Sequence, residues 1–287
     1  MSASPSRTNV LLEVASLSMR VARKYVEPYS HAKSPHKFTQ GQLITCLVLR
    51  AYLKTTYRGI IEILETSDAL RERMGLKRLP HYSTLKKFAD RSEVLHIVDC
   101  MLQDIVRQYA PEAQEAALDS TGLETTSASA HYLTRSGKAR KKFIKVSVCV
   151  LAGSLLPSSV VLSWGPSNDK SEAVELLAKA SAVNRPGRVF ADAGYDAEWI
   201  HEYCREEWQV ESVINPAMHR SDGTMTGQYR AQMTPENLKA KGYGRRWLVE
   251  SFMSGLKRTT GAALNARRDL ALMTEAALRV LAYALRR

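Results

Sequence analysis

Three acidic residues stand out for where they fall. Asp119 closes the apolar run Ala116-Ala117-Leu118 and precedes Ser120-Thr121-Gly122. Asp192 closes Val189-Phe190-Ala191 and precedes Ala193-Gly194-Tyr195. Glu250 lies in YGRRWLVESFMSGLKR, residues 243–258, among Arg245, Arg246, Lys257 and Arg258. A carboxylate leaving an apolar strand is held rigidly and is costly to leave unpaired. Three such groups could hold two Mg2+ ions, because magnesium prefers hard oxygen ligands, with one or two carboxylates per ion beside water and phosphate. Two ions about 3.5–4 Å apart clamp the attacking and leaving oxygens of an in-line phosphoryl displacement. The cations around Glu250 would then hold a phosphate backbone. Each residue also has a plainer reading. Aspartate caps turns, and an exposed Arg–Glu pair four residues apart stabilises a helix by only a few tenths of a kcal/mol.

Residues 111–287 must position these groups, and their pattern reads as α/β. EAALDSTGL reads as a strand. KFIKVSVCVL alternates, with Ile144, Val146, Val148 and Val150 on one side and Lys145, Ser147 and Cys149 on the other. LLPSSVVLSW is a third strand, weakened at its start by Pro157; GRVFAD and QVESVINP are a fourth and a fifth. SEAVELLAKASA and AEWIHEYCREEW read as helices, and residues 217–241 as a polar loop. In residues 243–258, Tyr243, Arg246, Glu250 and Lys257 fall near one helical stripe, beside an apolar stripe of Val249, Phe252 and Leu256. A last helix covers residues 270–285. Strands in a meander, then alternating with helices, predict a mixed sheet covered by helices, in which ligands gather beyond strand ends. Two rival carboxylates read as structural. Asp169 fits a capping box with Glu172, and Asp196 fits an N-cap for the helix at Ala197. His131, His201 and His219 lack ligand spacing.

Residues 1–110 read as helices: Gln40–Lys54 behind Thr39 as cap, then TTYRGIIEILETS, ALRERMGLKRLP, HYSTLKKFADR and SEVLHIVDCMLQDIVRQYA. Short helices joined by tight turns are compatible with a helix-turn-helix unit. HYSTLKKFADR would then offer Lys86, Lys87 and Arg91 to DNA, although a bundle with a solvated basic face fits as well. The run RSGKARKKFIK, residues 135–145 with Lys142 inside it, reads as an edge facing phosphate or as a solvated basic loop.

Lysine plus arginine number 41 against 29 acidic residues, a formal charge of +12. Such an excess favours a polyanion partner, DNA or RNA first, and is also found in basic proteins with no such role. The four cysteines are far apart and form no CxxC pair, which argues against a zinc site and a disulfide framework. Reduced thiols in a cytoplasmic protein fit best. No run of about 18 apolar residues predicts a membrane span, and the N-terminus lacks the layout of a signal peptide.

Taken together, the motifs resemble the DDE transposases of prokaryotic insertion sequences, and in particular the branch with a Tyr-Arg-Glu-Lys signature. That signature is Tyr, two residues, Arg, three residues, Glu, six residues, Lys, and Tyr243, Arg246, Glu250 and Lys257 match every gap. ALDSTG looks like the strand of the family's first aspartate, and FADAGYD like the strand and turn of its second. The resemblance implies a ribonuclease-H-like mixed sheet flanked by helices, with a helical DNA-binding region over 1–110 and a catalytic domain over 111–287 that includes the last helix. It implies Asp119, Asp192 and Glu250 as the catalytic, metal-binding triad, with two Mg2+ ions that Mn2+ can replace. Tyr243 and Arg246 would lie near the DNA end, and Lys257 would contact DNA. Double-stranded DNA would be the partner, as terminal inverted repeats and as target, bound by a homodimer at the nucleoid. The expected reaction is cleavage at the element ends and transfer of the freed 3′ hydroxyl to target DNA. The alternatives are a metal-dependent nuclease of the same fold and a DNA-binding relic without catalysis.

Overall fold

In chain order the helices are α1 (Val10–Ala22), α2 (Gln40–Tyr52), α3 (Tyr57–Thr66), α4 (Asp68–Met74), α5 (Tyr82–Ala89) and α6 (Glu93–Tyr109). Then come strands β1 (Glu115–Glu124), β2 (Phe143–Leu151) and β3 (Pro157–Gly165), helix α7 (Asp169–Ser181), strand β4 (Arg188–Ala191), helix α8 (Glu198–Glu202) and strand β5 (Glu211–Ile214). Helices α9 (Pro235–Ala240), α10 (Trp247–Thr260) and α11 (Asp269–Arg286) follow. This computed structural model describes residues 9–125, 142–217 and 224–287. Among them, no helix is long and apolar enough to cross a membrane.

The chain divides into two compact units: Met1–Met101 with Thr259–Gly261 and Arg268–Arg287, and Leu102–Arg258 with Ala262–Arg267. The first unit is helical. Thr39 and Gln42 form the capping box that starts α2. Ile44, Leu47, Leu49, Ile60, Leu64, Leu85 and Phe88 build the core of this unit. Helix α11 packs against α1 and α2. It is buried on nearly every face from Leu272 to Leu285, and a helix apolar all round must be enclosed. Its buried Glu275 pairs with Arg279 at 2.8 Å and with Arg50 of α2 at 3.8 Å. The sequence grouped this helix with residues 111–287; its apolar circumference places it with the N-terminal helices instead.

The second unit carries a five-stranded sheet in the order β3-β2-β1-β4-β5. Strands β1, β2 and β3 form an antiparallel meander, while β4 and β5 run parallel to β1. All five strands lie where the apolar runs predicted them. Helices cover the sheet, so β2 is buried from Ile144 to Leu151, and the polar side of its alternation, Lys145 and Ser147, is enclosed too. Part of the predicted loop over 217–241 is regular. It holds a 3-10 turn, Arg230–Gln232, and α9, whose start carries Thr234 as cap and Pro235 in the first turn. Glu198 fixes the loop by accepting from the N–H groups of Tyr229 and Arg230.

Candidate active site

Strands β1 and β4 pair Glu115 with Arg188, Ala116 with Val189 and Ala117 with Phe190. Carrying that register two residues further sets Asp119 beside Asp192 on one face of the sheet. Strand β4 stops at Ala191, but β1 continues to Glu124. Asp119 therefore does not close its strand. It sits mid-strand, where β1 loses its parallel neighbour. Asp192 caps the 3-10 turn Ala193–Tyr195 and accepts from the Gly194 N–H at 3.0 Å. Asp119 accepts from the Ser120 N–H at 2.7 Å. Burial pushes the Asp119 carboxyl up to about 6; the charges of Asp192 and Asp169 add to the rise, and the Ser120 N–H and Arg246 oppose it.

The signature residues do not share one α-helix. Gly242 takes a left-handed conformation, Tyr243–Arg246 form a 3-10 turn, and α10 begins only at Trp247. Side chains three apart eclipse in a 3-10 turn, so Tyr243 and Arg246 still line up. The Arg246 guanidinium lies 3.6 Å from Asp119 and also pairs with Glu250. Glu250, 56% exposed at its side chain, thus meets Asp119 through Arg246. Val249, Phe252 and Leu256 are fully buried, as their apolar stripe requires. Lys257 lies two turns beyond Glu250, half-buried.

Sequence reasoning missed one member of this neighbourhood. Asn168, not Asp169, caps α7, and the capping box of Asp169 with Glu172 does not form. Asp169 turns to the sheet instead. Its Oδ1 accepts from Ser120 Oγ at 2.6 Å and pairs with Lys145 Nζ at 2.9 Å. Lys145 is buried on β2 and also holds Glu172 at 2.7 Å, whose other oxygen takes the hydroxyls of Ser163 and Ser167. The available signal was a lysine inside an apolar strand, which must find a carboxylate. Asp196 does not cap α8 either, since Ala197 holds that position without a side-chain bond. The buried Asp196 carboxylate instead takes the guanidinium of Arg230, at 2.6 Å and 2.7 Å, and the Ala217 N–H.

Other candidates lie apart from these carboxylates in sequence. Lys86, Lys87 and Arg91 are exposed on and just after α5; Lys86 pairs with Asp90, and Arg91 stacks over Phe88. Lys142 is exposed at the start of β2, while residues 135–141 of its basic run fall outside the described residues. His201 is buried against Ser212; His131 and His219 also fall outside the described residues.

Residues 110–285, more than half of the chain, match the family described as Transposase DDE domain. The chain belongs to this family. A solved structure of similar fold is the piggyBac transposase in its synaptic complex with hairpin DNA, with 11% sequence identity and a TM-score of 0.50 over 96% of this chain and 71% of that one. No curated protein matches the chain in sequence. The mixed five-stranded sheet flanked by helices is the ribonuclease-H-like fold of transposases.

Metal dependence is general in DDE domains. As they stand, no three His, Cys, Asp or Glu residues among the described residues gather closely enough to hold an ion. Asp119 and Asp192 do fit a hard cation: both are carboxylates, adjacent, and mutually repulsive enough to raise Asp119. Glu250 is paired with Arg246.

Proposed function

We propose that this DDE domain is an insertion-sequence transposase that cuts DNA strands at its element's ends and transfers the freed 3′ hydroxyl to target DNA. The observation that carries this is the β1–β4 register, which carried two residues further sets Asp119 beside Asp192, with Arg246 reaching both Asp119 and Glu250. Asp119, Asp192 and Glu250 would hold the divalent cations, Mg2+ or Mn2+. When bound, these ions supply an activated water nucleophile and charge stabilisation for the departing 3′ oxygen. The chain's own residues do the rest. The middle of β1 and the end of β4 fix the two aspartates, Asp119 gives up its proton before binding a cation, and Arg246 releases Glu250 as its guanidinium turns to phosphate. Tyr243 and Lys257, on the same side of the 3-10 turn and of α10, flank the strand being cut. Lys86, Lys87 and Arg91 of the helical region, and Lys142, hold the duplex outside the site. Protein acting on paired ends is expected to be a homodimer.

The test is a plasmid carrying the gene's own flanking DNA, incubated with the protein and Mg2+ or Mn2+ beside Asp192→Asn. Metal-dependent breaks at the element ends and joined target products are expected, both absent in the variant, which still shifts the same DNA in a gel. Nicked ends with no joined product would instead mark a nuclease of the same fold. Specific binding without breaks would mark a relic.

A further inference from the structure

Lys145 is a buried cation with more acid than it needs. Glu172 alone neutralises it at 2.7 Å, and the Ser167 carbonyl accepts from it at 3.1 Å. Asp169 is therefore not required to satisfy the lysine, yet Lys145 and Ser120 both bind the same oxygen of Asp169. Its other oxygen, Oδ2, makes no hydrogen bond among the described residues and points at the turn that carries Asp192. A Cβ on Gly194 would stand 2.6 Å from Asp169 Oδ2 and 3.0 Å from Asp192 Oδ1, so both carboxylates close on a position that only a glycine leaves open. Tyr195, next to Gly194, is fully buried, with Ser147 beside its hydroxyl. Asp169, Asp119 and Asp192 are the three charges that act on that hydroxyl. In this structure, then, Asp169 is a further carboxylate whose charge acts on Asp119, whereas Glu250 is engaged by Arg246.

We infer that Asp169 is a positioning residue of the site: anchored by Lys145, it holds Ser120 beside Asp119 and presses its free oxygen toward Asp192, and its charge increases the pair's demand for a cation. The inference rests on the metal-binding reading proposed above. It adds a fourth carboxylate whose place is set from the far side of the strand, since Ser120, next in sequence to Asp119, points to the opposite face.

Calorimetric titration of Mn2+ into the purified, DNA-free protein tests it, with thermal melting as a check of fold. Asp169→Asn leaves Lys145 paired with Glu172, so melting should be nearly unchanged. Affinity for Mn2+ should fall about tenfold or more, as when groups that orient metal ligands are removed, and Asp169→Glu should restore part of it. Gly194→Ala, which removes no charge but displaces the Asp169 carboxylate and crowds that of Asp192, should lower affinity in the same direction. Asp119→Asn is the control for the underlying reading. If Asp119→Asn abolishes Mn2+ binding while Asp169→Asn and Gly194→Ala match the parent, the positioning role is overturned and the metal site stands. If Asp119→Asn also binds like the parent, the metal reading itself fails and the inference with it.

Discussion

Asp119 shows how the site stores its readiness for a cation. Two carboxylates emerging side by side from parallel strands repel each other, and burial keeps water from screening them. Burial first, and then the charges of Asp192 and Asp169, raise Asp119 from 3.8 to about 6. A raised aspartate favours the folded state when protonated. Its contribution is therefore complete below about pH 3.8 and is lost as pH rises through about 6. In EDTA, Asp119→Asn should be more stable than the parent at pH 7.5, by on the order of 1–2 kcal/mol, well under the roughly 3 kcal/mol of a full two-unit shift because the side chain is one-fifth exposed. The advantage should shrink toward pH 4. Urea unfolding at the two pH values measures it, and a difference that does not change with pH would contradict the crowding. Excess Mg2+ should reverse the order at pH 7.5, because only the ionised parent gains the cation's binding energy.

At the scale of elements, the junction between the 3-10 turn and α10 decides which carboxylates meet. The turn sets Arg246 over Asp119, and the first turn of α10 brings Glu250 to the same guanidinium. Arg246→Ala should raise the Asp119 pKa further, since a favourable charge is lost, so Mn2+ affinity measured against pH should reach its plateau at a higher pH than in the parent. Arg246→Lys should restore little of this, because an ammonium cannot fork between two carboxylates. An unmoved plateau would show that Arg246 does not govern the site. The sequence carried much of this architecture: apolar runs ending in aspartate located β1 and β4, and the gaps of the signature located Arg246 and Glu250. What it hid depended on distant partners. Nothing near Asp169 announces Lys145 on β2, so the acid read as a cap. The enclosure of β2 on both faces was masked by its alternating polar residues, of which Lys145 finds its carboxylates within the unit. The start of α9 at Thr234-Pro235 was legible as a cap followed by proline, but lay inside a stretch otherwise polar enough to pass for loop.

At the scale of the whole molecule, the excess of cations bears on association and not on fold. A formal charge of +12 over 287 residues sets a long-range attraction to any polyanion. The exposed Lys86 and Lys87 on α5, Arg91 beyond it, and Lys142 at the start of β2 are available to phosphate without unfolding anything. Each phosphate contact releases condensed counterions and contributes about −0.9 to the slope of log affinity against log salt. Binding to a duplex from the element ends should thus weaken steeply between 50 and 200 mM salt, by roughly 10³-fold or more if six or more contacts form. Lys86→Gln with Lys87→Gln should reduce the slope by about 2 and weaken cognate and unrelated duplexes alike, as expected for contacts that read no base. Asp192→Asn should leave the slope unchanged, since it removes no cation. Fluorescence anisotropy across a salt series measures all three. A flat response in the parent would mean that the charge is spent on solubility, and a slope that survives the double substitution would move the DNA-binding surface away from α5.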